Sequence, residues 1–352
     1  MMGLIKNTKS KIIPVEDRWK KIVQKRLDSL VKPKDSLGRL ESLCVKIGSI
    51  QKGEPTIESK KIFVLAGDHG VTEEGVSAYP KKVTKKMVRS FVKRDAAINA
   101  ISEYSDTELL VVDMGIGEKI SSKEVIDRKI SYGTNNFCKG PAMTRKEGNK
   151  AVETGINLID EYASETDVVG LGDMGIGNTT SSAAIFSTLF DLPPKNVVGR
   201  GSGLDQRGIN KKIKVVKNGI ENHSPFEGAL DILCKLGGLE IGGLTGIILG
   251  CAAEKKTVLV DGYITLASAA LAIEFEPKVA DYLIFSHSSG EKGFDIVTDE
   301  LGVEPILNLD MKLGEGTGAA LAMSILDCAV KTYHEMSTFD EAGISISNDK
   351  PK

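Results

Sequence analysis

The sequence predicts an α/β fold built around a parallel β-sheet. From about residue 60 onward, short apolar runs alternate with longer helical segments, a pattern typical of parallel sheets. Each run is followed closely by Asp, Gly, Ser or His, and ligands of open parallel sheets bind beyond the carboxyl ends of the strands. The sequence therefore predicts a sheet with a binding site at its carboxyl edge. The five clearest runs lie at 62–65, 109–112, 168–169, 258–260 and 282–285.

Helices are predicted at both ends of the chain. Apolar residues recur at helical spacing between residues 19 and 30, and Pro33 ends this first helix. A polar turn leads to a second helix near 40–50, and a third helical run covers 319–333. The polar tail at 337–352 follows, and we expect its end to be disordered.

Composition excludes several classes of function. The 352 residues carry 46 Lys and Arg against 48 Asp and Glu, a net charge of −2, whereas nucleic-acid binders usually show a basic excess. The five cysteines are widely spaced and form no CxxC pair, so neither a zinc site nor a disulfide framework is predicted. A small polar or anionic ligand is the better expectation.

No segment of the sequence predicts a membrane or secretory role. The first residues lack the apolar centre of a signal peptide. The longest nearly apolar stretch, at 241–253, is too short and too rich in glycine to span a bilayer. We therefore expect a cytoplasmic protein without a membrane partner.

The segment at 170–175 (GLGDMG) matches GxGxxG, the pattern of dinucleotide-binding turns. One interpretation is therefore an NAD-dependent oxidoreductase. An Asp stands inside this segment, however, and the following helix opens with Asn178, Thr179 and more hydroxyl side chains. Hydroxyls and amides at a helix N-terminus bind anions without a dinucleotide, which favours a monophosphate or sugar-phosphate site.

A second candidate segment is 313–318 (LGEGTG), which precedes the C-terminal helix. Glycines on both sides of Glu315 expose its carboxylate and allow a ligand to approach the backbone. Because the helix dipole favours a carboxylate at a helix N-terminus, we expect Glu315 to be ionised near neutral pH. The alternative is a plain N-terminal helix charge without a role in chemistry.

The sequence predicts neither a metal site nor a side-chain nucleophile. His69 and His287 follow predicted strands, but no HExxH, HxH or carboxylate cluster with metal-ligand spacing occurs. No Ser or Cys lies in a GxSxG turn, so covalent catalysis is not indicated.

Taken together, these segments resemble the nicotinate-nucleotide–dimethylbenzimidazole phosphoribosyltransferase family. The resemblance covers residues 32–345, and its motifs occur in the family's order. They are KP at 32–33, SLGRLE at 36–41, AGDHGV at 66–71, EGV at 74–76, GPAM at 140–143, GIGNTT at 175–180, the strand and DG at 258–262, SH at 286–287 and LGEGTGA at 313–319.

The resemblance implies a Rossmann-like parallel sheet with helices on both faces and a small helical domain built from both termini. It implies domain boundaries at 1–58, 59–312 and 313–352, the last holding the Glu315 loop, the returning helix and the tail. It also implies a homodimer whose partner subunit helps to shape each active site, and neither a metal nor an organic cofactor. The implied reaction converts nicotinate mononucleotide and 5,6-dimethylbenzimidazole, or a related base, to α-ribazole 5′-phosphate and nicotinate for cobamide assembly.

The family's functional positions fall on specific residues of this chain. The resemblance makes Glu315 the base that accepts a proton and places Asp173 and Lys212 beside it in the catalytic set. The implied base pocket comprises Tyr79, Met87 and Leu313. Phosphate and ribose contacts are implied for Gly175, Ile176, Gly177, Asn178 and Thr179, with Asp261 and Ser288 as further candidates.

Two positions depart from the family pattern. Asp173 stands where relatives carry Glu, one methylene longer, so a structural role and a non-catalytic partner subunit remain alternatives. Tyr79 and Met87 stand where smaller or amide side chains occur, which leaves the identity of the acceptor base open.

Overall fold

The protein, described by a computed structural model over residues 3–344, has a central sheet of six parallel strands. In space the strands are ordered β3-β2-β1-β4-β5-β6, the order of a doubly wound sheet that grows outward from its middle. The predicted parallel α/β fold is confirmed. The strands are β1 (Lys60–Gly67), β2 (Glu108–Gly115), β3 (Val125–Asp127), β4 (Val168–Met174), β5 (Thr257–Val260) and β6 (Leu283–Phe285).

The central strand β1 shows why these runs form a buried sheet. Ile62 and Val64 point to one face, Phe63 and Leu65 point to the other, and all four are fully buried. Strands buried on both faces read as continuous apolar runs, which is what the sequence shows. β1 pairs with both β2 and β4, so the carboxyl ends of the strands meet at one edge.

Fourteen helices accompany the sheet in the described part of the chain. The first five are α1 (Leu4–Lys11), α2 (Asp17–Ser29), α3 (Arg39–Gln51), α4 (Lys82–Lys93) and α5 (Ala97–Tyr104). The middle five are α6 (Arg145–Tyr162), α7 (Asn178–Leu189), α8 (Pro194–Val197), α9 (Gln206–His223) and α10 (Ala229–Leu236). The last four are α11 (Leu239–Ala253), α12 (Tyr263–Phe275), α13 (Phe294–Leu301) and α14 (Thr317–Glu335).

The helices cover both faces of the sheet, as the resemblance implies. Apolar residues of α6 to α13 form one hydrophobic cluster with Phe63 and Leu65. Residues of α2 to α5 and of α14 form a second cluster with Ile62 and Val64. The alternation of side chains along each strand thus supplies both cores.

The helices near the two ends of the chain pack together, except for α1. α2 and α14 both pack on α3, and Leu30 forms a β-bridge with Thr338. α1 instead packs on α6 and α11. The domain boundaries at 58 and 312 stay predictions. The end of the tail predicted to be disordered, at 345–352, lies outside the described residues.

A buried ion pair shapes the turn between α2 and α3. The Lys32 and Glu41 side chains approach to 2.8 Å, and both are almost completely buried. The same Glu41 carboxylate accepts a hydrogen bond from the Leu37 amide at 3.0 Å. The polar residues of this motif therefore hold the start of α3 in place.

α6 and α11 are in direct backbone contact. A Cβ atom at Gly155 of α6 would lie 1.9 Å from the Gly243 carbonyl oxygen, and one at Gly246 of α11 would lie 2.0 Å from that of Val152. Only glycine fits at either position. The apolar stretch at 241–253 is thus a core helix, and no helix within residues 3–344 is both long and apolar enough to cross a membrane.

Candidate active site

A cavity of about 500 Å³ lies beyond the carboxyl ends of β4, β5 and β6. It is therefore at the edge of the sheet that the sequence indicates. Nine of the predicted site residues line it: Tyr79, Met87, Asp173, Gly175, Ile176, Asn178, Thr179, Leu313 and Glu315.

The turn from β4 into α7 forms one wall of the cavity. Gly175 crosses over β1 so closely that a Cβ there would lie 2.4 Å from the Gly67 carbonyl oxygen. Gly177 caps the helix with φ 101°, a conformation that favours glycine. The start of α7 therefore borders the cavity, and a helix N-terminus is a place where an anion can bind.

A buried network of three polar side chains lies behind this turn. His69 Nδ1 lies 3.0 Å from Ser181 Oγ in the first turn of α7, and His69 Nε2 lies 2.5 Å from Glu240 Oε1 in α11. All three side chains are fully buried. His69 thus connects the sheet to two helices and takes no place in the cavity lining.

Lys212 lies behind the cavity wall. Its side chain is only 1% exposed, and Nζ donates a hydrogen bond to Thr179 Oγ1 at 2.7 Å. Burial lowers the pKa of Lys212 to about 8, against an opposing effect of the Glu291 carboxylate. A buried cation next to a helix N-terminus attracts a phosphate group.

Glu315 enters the cavity from a strained turn. Its φ is 64°, and the flanking Gly314 and Gly316 have φ 81° and 90°, so three successive residues are left-handed. Such a conformation is uncommon for a residue with a side chain and concentrates at functional sites. A Cβ at Gly172 would lie 2.6 Å from the Glu315 carbonyl oxygen, so this glycine makes room for the turn.

The expected ionisation of Glu315 requires correction. Burial and the neighbouring Asp261 carboxylate raise the pKa of Glu315 to about 7, while the Ile98 amide opposes the shift. The side chain is only 6% exposed, and Oε2 has no hydrogen-bond partner among the described residues. The dipole of α14 does not keep Glu315 fully ionised at neutral pH, because desolvation outweighs it.

Asp173 is a second buried carboxyl group at the cavity. Its Oδ2 accepts a hydrogen bond from Asn178 Nδ2 at 2.8 Å, and Oδ1 is unpartnered among the described residues. Burial raises the pKa of Asp173 well above its usual range, and the carboxylates of Asp261, Glu240 and Glu315 add to the shift. The environment of Asp173 therefore disfavours its charged form.

Four predicted site residues do not line the cavity. Gly177 faces Thr72 and His69, and Lys212 reaches the site only through Thr179. The Ser288 hydroxyl donates to Asp295 Oδ1 at 3.2 Å, away from the cavity.

The fourth of these, Asp261, is hydrogen-bonded to backbone amides. Both of its carboxylate oxygens accept hydrogen bonds from amides at the start of α14. Asp261 does not line the cavity, and the contact with phosphate or ribose expected for it stays a prediction.

The cavity also includes residues that the sequence reasoning missed. The turn between α8 and α9 contributes Gly201 and Ser202, and its glycine-rich sequence at 199–203 (GRGSG) could have indicated it. His287 also lines the cavity, and its position after a predicted strand was such a signal. Further missed lining residues gave no signal, because they lie in loops without a distinctive pattern: Ser289, Glu291 and Lys312.

The GxGxxG match is not a dinucleotide-binding turn. Gly170 and Gly172 lie inside β4, where added Cβ atoms would collide with Ile62 and with the Glu315 backbone. These glycines permit close packing against α14 and do not form a phosphate-binding loop. The oxidoreductase interpretation therefore loses its structural basis.

Comparisons with known proteins agree with this geometry. The sequence profile of a phosphoribosyltransferase family matches residues 12–344. The nicotinate-nucleotide–dimethylbenzimidazole phosphoribosyltransferase of Acetivibrio thermocellus is 44% identical over 327 residues, covering 92% of this chain and 93% of the relative. Its counterpart in Geobacter sulfurreducens is 43% identical over 348 residues, covering 98% of this chain and 99% of that relative.

Solved structures show the same fold. The crystal structure of CobT from Thermus thermophilus superposes with a TM-score of 0.89 at 37% identity, covering 93% of this chain and 99% of that chain. Profile, relatives and structure match almost the entire chain, and residues of the motifs at 175–180 and 313–319 line one cavity. The chain belongs to the nicotinate-nucleotide–dimethylbenzimidazole phosphoribosyltransferase family.

Proposed function

We propose that this protein transfers the phosphoribosyl group of nicotinate mononucleotide to 5,6-dimethylbenzimidazole or a related base. The products are α-ribazole 5′-phosphate and nicotinate, for the lower ligand of a cobamide. The single observation that carries the proposal is the placement of Glu315, a buried carboxyl group with a pKa of about 7, in the same cavity as the α7 N-terminus. One cavity thus holds a proton acceptor and an anion site.

The chemistry needs little more than these two features. A ring nitrogen of the azole attacks C1′, and the bond from C1′ to the pyridine nitrogen breaks. The bonding pair returns to the pyridinium, which leaves as neutral-ring nicotinate without protonation. The other azole nitrogen loses its proton to Glu315, and a pKa near the working pH suits a general base.

The phosphate would be held by the first turn of α7. Its amides, the Thr179 hydroxyl and the buried charge of Lys212 provide donors on one side of the cavity. Holding the phosphate orients C1′ toward the acceptor base, and positioning of this kind contributes much of the rate enhancement. Gly175, Ile176 and Asn178 complete this wall.

Asp173 has a supporting role in this proposal. Burial raises its pKa, and its Oδ2 is occupied by the hydrogen bond from Asn178. We assign it to holding Asn178 at the start of α7 and to limiting the negative charge near Glu315. The shorter side chain is compatible with that role, which argues against a non-catalytic partner subunit.

The acceptor base would enter from the open side of the cavity. Tyr79 and Leu313 lie there with 55% and 57% of their surface exposed, and Met87 lies deeper. We propose that a partner subunit covers this apolar rim in a homodimer, which sedimentation of the purified protein would test. The cytoplasmic location remains a prediction.

The test is direct. Purified protein incubated with nicotinate mononucleotide and dimethylbenzimidazole should release nicotinate and form α-ribazole 5′-phosphate in equal amounts. An NAD-dependent oxidoreductase would instead bind NAD and leave nicotinate mononucleotide unchanged. A non-catalytic partner subunit would bind the substrates without turnover, so either result would refute the proposal.

A further inference from the structure

We propose that Asp261 is a positioning residue for this reaction and acts through Glu315, an inference that rests on the proposed function. Its carboxylate accepts three backbone hydrogen bonds around the Glu315 turn. Oδ1 accepts from the Gly318 and Ala319 amides at 2.7 and 2.9 Å, and Oδ2 accepts from the Gly316 amide at 3.1 Å. Asp261 thus caps α14 from the end of a neighbouring strand.

These bonds hold a conformation that the chain would not adopt by itself. A left-handed residue with a side chain is strained, and Glu315 lies between two left-handed glycines. The turn is closed from within, because Thr317 donates from its amide and hydroxyl to the Gly314 carbonyl at 3.1 and 2.8 Å. Asp261 attaches this closed turn to β5, whose position in the sheet is fixed.

Asp261 is placed to act on Glu315 and not on the substrates. It is 1% exposed, it does not line the cavity, and both of its oxygens are engaged. An anionic phosphate would also be repelled by a carboxylate at this position. The candidate contact with ribose or phosphate is therefore replaced by a contact with the backbone that carries the base.

Charge gives Asp261 a second effect on Glu315. Asp173 faces Glu315 from β4, Asp261 from β5, and the Ile98 amide from α5. His287, beyond β6, has its Nε2 3.7 Å from Asp261 Oδ1. Of these groups the Asp261 carboxylate raises the pKa of Glu315. Burial raises the pKa of Asp261 itself, and His287 and the three donated amides oppose that shift.

The experiment compares Asp261→Asn and Asp261→Ser with the wild-type protein in the nicotinate-release assay. The Asn amide nitrogen would face the Gly316 amide and cannot accept its hydrogen bond, and the Ser hydroxyl reaches fewer amides. We expect kcat to fall roughly 10- to 100-fold in each, because a small displacement of a catalytic group is sufficient for such a loss. KM for nicotinate mononucleotide should stay within about twofold.

The pH profile supplies the readout that a purely structural residue would not change. Removing the Asp261 charge lowers the pKa of Glu315, so the acidic limb of the kcat–pH profile should move to lower pH by about half a pH unit or more. Thr144→Ala is the matched control, since Thr144 caps α6 by accepting from the Glu147 amide away from the cavity. It should lower the melting temperature and leave kcat and the pH profile unchanged.

A double mutant shows whether Asp261 acts through Glu315. In a Glu315→Gln background, Asp261→Asn should reduce kcat by less than about twofold further. If the wild type turns over and both Asp261 variants keep its kcat and the acidic limb of its pH profile, the inference is overturned while the proposed function stands. Full additivity with Glu315→Gln, or failure of both Asp261 variants to fold, would overturn it as well. Absence of turnover in the wild type would refute the proposed function itself.

Discussion

The Lys212 ammonium group donates a hydrogen bond to the Thr179 hydroxyl at the N-terminus of α7, at 2.7 Å. The bond places a buried positive charge directly behind the hydroxyl that faces the cavity. Lys212 has a pKa of about 8 because burial disfavours its charged form. An arriving phosphate dianion would reverse this effect, since a nearby negative charge favours the protonated amine.

Thr179→Val should therefore weaken nicotinate mononucleotide binding without abolishing the fold. We expect a loss of roughly 1.5–3 kcal/mol, the value of one hydrogen bond to a charged group. Titration calorimetry would measure this loss. Thr188→Val is the matched control, because Thr188 lies on the same helix and bonds only to the Ala184 carbonyl. Equal binding by wild type and Thr179→Val would remove Thr179 from the phosphate site.

Glu315→Gln should reduce turnover about 10²–10⁴-fold at neutral pH, the usual effect of removing a general base. The amide keeps the size of the side chain but cannot accept the azole proton, so substrate binding should be retained. The deficit should shrink at high pH, where more of the azole is deprotonated without help. Glu335→Gln, at the exposed far end of α14, is the control. Near-wild-type turnover of Glu315→Gln would show that Glu315 is not the base.

The wild-type rate should depend on pH through Glu315. A general base works when deprotonated, and the pKa of Glu315 is about 7, so kcat should fall as pH decreases below 7. A plateau in kcat from pH 8 down to pH 5 would contradict this assignment. Stopped assays across that range would provide the profile.

Glu315 should also reduce the stability of the protein above neutral pH. Its pKa is about 7 when folded and 4.5 ordinarily, so the folded state binds more protons between these values. Stability is then lost as pH rises from 4.5 through 7. At pH 8 Glu315→Gln should be more stable by an amount on the order of 3 kcal/mol, and the difference should vanish at pH 4. Denaturant unfolding at both pH values would measure it, and equal stability at pH 8 would exclude the burial effect.

The acceptor base should be selected with modest stringency. Met87 is flexible and polarisable, and Tyr79 offers a flat apolar surface at the open rim. We expect several benzimidazoles to be converted at comparable rates when supplied in competition. Strict refusal of every base except dimethylbenzimidazole would contradict this expectation.

The sequence predicted most of the fold because the strands are apolar on both faces and the motifs follow them. It did not predict β3, whose three residues include only two apolar ones and pair at the edge of the sheet. It left open whether Gly170 and Gly172 belong to a dinucleotide-binding turn, because glycines serve both tight turns and close packing, and only the packed structure distinguishes these uses.

The sequence predicted which residues line the cavity better than it predicted their pKa values. The motifs identified Glu315, Asp173 and the start of α7, but the ionisation of Glu315 depends on burial by partners distant in sequence. Asp261 is 54 residues from Glu315 by their numbering, and its bonds to the Gly316 and Gly318 amides leave no mark on the sequence pattern. Such long-range contacts decide the pKa values and cannot be read from a local motif.

The direct backbone contact of α6 with α11 has a consequence for how this protein can diversify. Gly155 and Gly246 allow no larger residue. Glu240, in the first turn of α11, contacts His69 behind the cavity wall. The packed helices behind the proposed phosphate site therefore tolerate no single substitution at these two glycines. Tyr79 and Met87 lie on the opposite side, on α4 and the loop before it, outside the glycine contact. Acceptor preference can thus change by exchanges in α4 and the loop before it, while the packing of α6 on α11 is unaltered.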